Sequence, residues 1–355
     1  MIGFYVHHHG TGHLSHAQTL IAALGVPAAV LTSLDVDSGR FPAGTEIIRL
    51  PADHDASDAP SDARARGALH WAPVGTQLLK PRTRRLVEWL TRPDAELLVV
   101  DMSVEVLLQG RLCGVPTVAV RLAGERTDRA HRLGYDTASG LLAPFPAELE
   151  DTDTPKSIRD RTFYGGLYSK ESDRVLSKSA ARLHAGLSAT DKVIVICVGS
   201  GGNSMNHSHL AELAASMPGW KIRVVGATGD TLCDGQVEFA GWVDDPFKWM
   251  RAADVVVANT SANLVAEVAA ADRPLIGIAE DRPYDEQYRR ARRLSATGAA
   301  IAASRWPQPD QWPRLVDQTL RLGTSVLHQW SKQGSASAVT QWLGDIAASY
   351  RARAS

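Results

Sequence analysis

Five histidines fall within ten residues, at 7–16 (HHHGTGHLSH), directly after the apolar run IGFYV. A neutral imidazole can take a proton from a hydroxyl, so a histidine at the rim of a site is a candidate general base. Gly10 and Gly12 allow a tight turn and close approach of backbone to a ligand before a helix starts. His13 would open that helix with its side chain turned to the site, where the helix N-terminus favours the neutral form. The plainer alternative is a helix-start histidine with no chemical role. Metal is the lesser reading, because no carboxylate or cysteine lies among these histidines at a familiar ligand spacing. His7 and His8 would then simply end the strand, one facing the core and one the site.

Five further stretches carry polar chemistry at the ends of apolar runs. VGSGGNS at 198–204 offers Gly199, Ser200, Gly201, Gly202 and Asn203, whose backbone N–H groups are free to point at anionic oxygens. It lacks the GK[ST] ending of a P-loop, so no ATPase is implied; a plain strand-to-helix turn is the alternative. DVVVANTSANLVAEVAAA at 254–271 runs from a buried strand into Thr260, Ser261, Ala262 and Asn263, small residues that suit a helix start and a second anion site. Glu267, seven residues after Thr260, would share its helix face and accept hydrogen bonds from a ribose diol; a solvated glutamate is the alternative. AEDRPYDEQYRRA at 279–291 places Asp285, Glu286 and Gln287 where they could grip sugar hydroxyls, or merely form a charged helix start. Asp101 ends the run LLVVD, which makes it either an orienter of His13, a second base, or the cap of the helix that follows. Arg121, Arg126 and His131 follow the next run and read as solvated loop charges, with an anionic acceptor as the alternative.

The elements that must position these residues are short apolar runs alternating with helical patterns. Strands are expected at 2–7, 28–33, 46–50, 97–101 and 117–121, then at 192–198, 221–225, 236–239, 254–258 and 274–278. Their continuous hydrophobicity is what parallel strands covered on both faces require. Helices at 15–24 and 103–113 fall between them, so each half is a doubly wound α/β domain. Residues 144–182, rich in proline and charge, have linker composition. The expected division is 1–150 for the first domain, 151–185 for the linker and 186–335 for the second domain. A helix within 336–355, apolar at helical spacing over 338–350, could pack back on the first domain.

Composition narrows the function. The 355 residues suit two domains, and 44% hydrophobic with 22% charged residues is ordinary for a globular protein. A formal net charge of -1 gives no polyanion signal, which argues against nucleic acid. Three widely spaced cysteines and no apolar run near 20 residues point to a cytoplasmic protein. The stretch 71–90 (WAPVGTQLLKPRTRRLVEWL) mixes tryptophans, leucines and arginines; a helix with a buried apolar face explains it best, and peripheral contact with anionic lipid is the alternative.

Residues 239–291, FAGWVDDPFKWMRAADVVVANTSANLVAEVAAADRPLIGIAEDRPYDEQYRRA, resemble the donor half of family 28 glycosyltransferases, the MurG-type N-acetylglucosaminyltransferases in particular. VGSGGN resembles that family's GGSxG phosphate loop, and HGTGH its N-terminal GTGGH. The resemblance implies a GT-B architecture, two Rossmann-like domains facing a central cleft. It implies that Gly199, Ser200 and Gly201 bind the diphosphate, Glu267 the ribose, backbone near Val243 the base, and Glu286 and Gln287 the donor sugar, with His13 as base. The expected activity is transfer from a nucleoside-diphosphate sugar, UDP-linked by resemblance, to an acceptor hydroxyl. Direct displacement would invert the anomeric centre, and backbone dipoles would make a metal or other cofactor unnecessary. Asn259-Thr260-Ser261 stands where the family has Arg-Ser-Gly, which removes a positive charge near the phosphates, and most of 40–180 does not match, so a different acceptor is expected. A nucleotide-sugar 2-epimerase and a non-catalytic sugar-nucleotide-binding partner are the rival readings; the glycine spacing disfavours a nicotinamide oxidoreductase.

Overall fold

The computed structural model describes residues 1–8, 12–54, 62–101, 103–199, 205–233 and 235–354, with backbone alone at 353 and 354. The chain divides into two compact units: Met1–Pro144 with Asp153–Gly165 and Ala336–Ser355, and Phe145–Thr152 with Gly166–Ser335.

In the first unit the strands are β1 (Ile2–Val6), β2 (Ala28–Thr32), β3 (Glu46–Arg49), β4 (Leu97–Asp101), β5 (Thr117–Val120), β6 (Gly140–Ala143) and β7 (Thr162–Tyr164). They form a parallel sheet in the order β3-β2-β1-β4-β5-β6-β7. In the second unit β8 (Lys192–Cys197), β9 (Trp220–Val225), β10 (Val237–Gly241), β11 (Val255–Asn259), β12 (Leu275–Ile278) and β13 (Ile301–Ala303) form another, in the order β10-β9-β8-β11-β12-β13. Both sheets reverse direction of growth beside their first strand, β1/β4 in one and β8/β11 in the other. Open α/β sheets bind ligands outside the carboxyl ends of the strands at such a switch point.

Around the first sheet lie α1 (Gly12–Leu24), α2 (Leu79–Leu90), α3 (Val104–Leu112), α4 (Arg129–Thr137) and α5 (Lys156–Arg159). The second carries α6 (Lys178–His184), α7 (His207–Ser216), α8 (Pro246–Ala252), α9 (Ala262–Ala270), α10 (Glu286–Ala296), α11 (Trp312–Leu322) and α12 (Ser325–Gln333). The last helix, α13 (Ala336–Ala354), belongs to the first unit. It buries Val339, Leu343 and Ala347, its Thr340 hydroxyl donates to Ala23 O (3.2 Å), and Trp342 stacks on Phe163.

The central strands β1, β4 and β11 are buried along their whole length, as helices on both faces demand. Gly3 has no side chain because Trp89 of α2 lies where a Cβ would be, 2.3 Å away. In α2, Leu86, Trp89 and Leu90 are core residues, as a helix with a buried apolar face requires, while Arg84 and Arg85 pair with Glu88 on the solvated face. Among the described residues no helix is long and apolar enough to cross a membrane.

Three short strands, β6, β7 and β13, add to the expected set. β7 and α5 fall inside 151–185, so that stretch is not an open linker: its first part completes the edge of the first sheet, and Gly166 onward joins the second unit. A three-residue edge strand needs no apolar run, and TFY in a charged context gives no periodic signal.

Candidate active site

In the first unit the switch point is occupied by a histidine–aspartate pair. Val6 of β1 lies in register with Asp101 of β4, so the α1 start and the β4 end meet. His13, second residue of α1, places Nδ1 3.0 Å from Asp101 Oδ2, and His16 Nδ1 is 3.7 Å from the same oxygen. Asp101 is only 5% exposed, and Oδ1 is buried with no partner among the described residues. Burial pushes its carboxyl up, yet the charge and hydrogen bond of His13, then those of His16, hold it well below the usual carboxylate range. Asp101 is not the cap of α3; Ser103 takes that role, its hydroxyl accepting from Val106 N. The carboxylate is thereby left to orient the imidazoles. With Nδ1–H given to Asp101, Nε2 of His13 carries the lone pair that a general base uses.

Arg121, Arg126 and His131, read as solvated loop charges, are all buried. Arg126 donates to Ala123 O, and its Nη1 lies 3.2 Å from His131 Nε2. Burial pushes His131 down to about 4 against the pull of Asp128. A run of polar residues after a strand gives no sign that its arginines turn inward.

In the second unit Gly199 follows β8 and Asn259 ends the neighbouring β11. A Cβ on Gly199 would lie 3.6 Å from Asn259 Nδ2 and Leu264 Cδ1, so the first glycine of the expected phosphate loop lies on the start of α9. Ser200, Gly201, Gly202 and Asn203 lie outside the described residues. The helix after them begins only at His207, capped by Asn206 in a capping box with His209. At α9 the N-cap is Ser261, whose side chain makes no capping bond; its own N–H donates to Asn259 Oδ1 (3.0 Å). The amides at Ala262 and Asn263 open that helix, as an anion site requires.

Other expected donor contacts separate into surface groups and supports. Thr260 precedes the helix, so the expectation that it shares a helix face with Glu267 is corrected. It is fully buried, its hydroxyl donates to Gln287 O (2.8 Å), and Gly277 leaves it room, since a Cβ there would lie 2.7 Å from Thr260 Cγ2. Gln287 is 2% exposed and its Oε1 accepts from Glu280 N (3.1 Å). Thr260 thus ties the end of β11 to α10, and Gln287 ties α10 to the end of β12. Glu286 is half-buried and accepts from Arg290 (3.2 Å), and Asp285 is exposed. Tyr284 and Asp285 both have positive φ, 64° and 54°, a strained pair that turns the chain sharply into α10. Glu267 lies on α9 with its carboxyl pushed up to about 7: burial is the main cause, Lys170 opposes it and Glu171 adds to it. Val243 is half-buried in the loop between β10 and α8.

Three contributors escaped sequence reasoning. Arg174 grips Asp245 with both ends, Nη1–Oδ1 and Nη2–Oδ2 each 2.8 Å, and lies over Phe247. It thus anchors the Val243 loop from a stretch read as linker. Arg290 joins Thr260 O (2.9 Å) to Glu286 from a buried position. Trp242, 70% exposed beside Val243, offers an aromatic face to solvent.

No family model matches the sequence. The UDP-N-acetylglucosamine–N-acetylmuramyl-(pentapeptide) pyrophosphoryl-undecaprenol N-acetylglucosamine transferase of Paenarthrobacter aurescens (strain TC1) is 24% identical over 336 residues, 90% of this chain and 84% of that protein. Spinosyn forosaminyltransferase SpnP superposes with a TM-score of 0.70 at 13% identity, covering 98% of this chain and 99% of that one. MurG of Acinetobacter baumannii superposes with a TM-score of 0.64 at 13% identity, covering 97% and 99%. The chain therefore has the GT-B fold, and the sequence relative and structural neighbours it resembles are glycosyltransferases, MurG among them.

Proposed function

We propose that this chain transfers a sugar from a nucleoside-diphosphate sugar, UDP-linked, to an acceptor hydroxyl, by direct displacement with inversion. The observation that carries the reading is the His13–Asp101 pair at a sheet switch point, in a chain that resembles glycosyltransferases over nearly all its length. His13 Nε2 takes the proton of the attacking hydroxyl, and Asp101 stabilises the imidazolium that forms. In the second unit the α9 amides and the glycine loop after β8 hold the diphosphate and take up charge as it leaves, with no metal at that position. Glu267 accepts from the ribose hydroxyls, and Asp285 and Glu286 meet the sugar. Thr260 and Gln287 act from behind, as positioning residues. The protein works without crossing a bilayer; its acceptor is a hydroxyl compound, and nucleic acid is not a partner.

The test is a thermal-shift panel of nucleoside diphosphates and their sugars, followed by transfer assays with the stabilising donor. A bound donor at a hundredfold excess over its Kd stabilises by about 2.7 kcal/mol. UDP compounds should shift the melt and thymidine compounds less so. Silence across the whole panel overturns the reading.

A further inference from the structure

The histidine tract has a use that transfer chemistry does not absorb. Its spacing supplies no carboxylate, but the fold brings one from the loop after β3. His8, just beyond β1, has Nε2 3.9 Å from Asp53 Oδ1, and His54 Nδ1 is 3.0 Å from the same oxygen. The three ligand atoms lie within 4.8 Å of one another. Metal bonds of about 2.0–2.1 Å set tetrahedral ligands about 3.3 Å apart, which the observed separations straddle. The two imidazoles are stacked, centroids 5.1 Å apart and planes 25° from parallel, with their nitrogens turned to one carboxylate oxygen.

We propose that His8, Asp53 and His54 bind one divalent transition-metal ion of the Zn2+ class. Two imidazoles and one carboxylate suit Zn2+, Co2+ or Ni2+ and disfavour Mg2+ and Ca2+. Three protein ligands leave a coordination position for water or a substrate oxygen. The carboxylate is divided for this task. Oδ1 faces the imidazoles, whereas Oδ2 lies 3.7 Å from Arg82 Nη2, an outer-shell partner on the far side. Arg82 is itself fixed by Tyr5 Oη (2.7 Å) and Pro51 O (2.5 Å), and Trp71 Nε1 donates to Asp53 O (2.9 Å). The ligand is therefore held before any ion arrives.

The other two aspartates flanked by histidine pairs are committed elsewhere. Asp101 serves His13 and His16. Asp128 caps α4 through Ala130 N and His131 N, and His131 divides its nitrogens between Asp128 and Arg126. The Asp53 group stands independently of the transfer reading, and its test does not use activity.

The full-length protein, stripped with chelator, is titrated with Zn2+ by calorimetry and with Co2+ by visible absorption. One ion per chain is expected. Asp53→Asn and His54→Ala should weaken binding by about 10–100-fold or more, at least the loss that follows removal of an outer-shell partner. His54 is half-exposed, so its variant keeps the fold. His7→Ala should bind as the parent does. Absence of stoichiometric uptake, uptake indifferent to Asp53→Asn and His54→Ala, or equal loss with His7→Ala, which would mean chelation by the tract alone, overturns the proposal.

Discussion

His13 Nδ1 lies 3.0 Å from Asp101 Oδ2, joining the second residue of a helix to the last residue of a strand two elements away in space and most of a domain away in sequence. If this pair is the base and its orienter, His13→Ala should lower transfer by about 10²–10⁴-fold. Asp101→Asn should lower it too, through the wrong tautomer. Donor affinity, measured by calorimetry, should be unchanged in the His13 variant. Loss of donor binding together with transfer would mark a structural role instead.

If Glu267 holds the donor ribose, donor binding follows pH. Its folded pKa, about 7, lies above the unfolded value near 4.3, so the native state binds the extra proton between the two. Stability from this group is thus full below about pH 4 and falls as pH rises to about 7. Glu267→Gln should remove that slope and stabilise the free protein at pH 8 by on the order of 3 kcal/mol. Donor affinity should rise with pH through about 7 in the parent and become flat and weaker in the variant. Parallel melts and donor titrations at pH 5.5 and 8 decide it.

Arg174→Ala frees the loop that carries Trp242 and Val243. Because the bidentate pair with Asp245 is partly exposed, the stability cost should be modest, about 1 kcal/mol. The donor KM should rise several-fold with little change in kcat, as uniform loss of binding requires. A kcat loss at constant KM would speak against this role.

Arg290 presents a sharper case. Its Nη1 serves both Thr260 O and Glu286, and its Nη2 is buried with no partner among the described residues. Arg290→Met would remove the guanidinium that Thr260 O and Glu286 share and release the β11–α9 turn, at a cost of about 1.5–3 kcal/mol by urea unfolding. Arg290→Lys, which keeps the charge and loses the fork, should fall between. Indifference of both stability and KM to either change would overturn a supporting role for Arg290 at the proposed donor site.

Much of this was legible in the sequence, for physical reasons. Parallel strands buried on two faces read as unbroken apolar runs, so β1, β4, β8 and β11 announced themselves, and the polar residues that end them marked the site edge. Less legible was everything set by partners distant in sequence. Thr260 and Gln287 looked like ligands because both are polar and near strand ends, yet each is consumed by a neighbour's backbone. Arg174 and Glu171 lay in a stretch whose charges resembled solvent-exposed linker, and only the fold returns them to Asp245 and Glu267. Arg126 and His131 were hidden likewise, since a buried arginine and a solvated one are the same letter.

The closing helix of the chain is a component of the opening unit. A ribosome that has made the first sheet in full has still not delivered Val339, Leu343 and Ala347, which seal α1. The first unit must therefore wait, unsealed, until the whole second unit has been synthesised, and the second is free to finish folding before it. Nonsense mutations late in the chain would accordingly injure the unit that carries the histidines and spare the second unit.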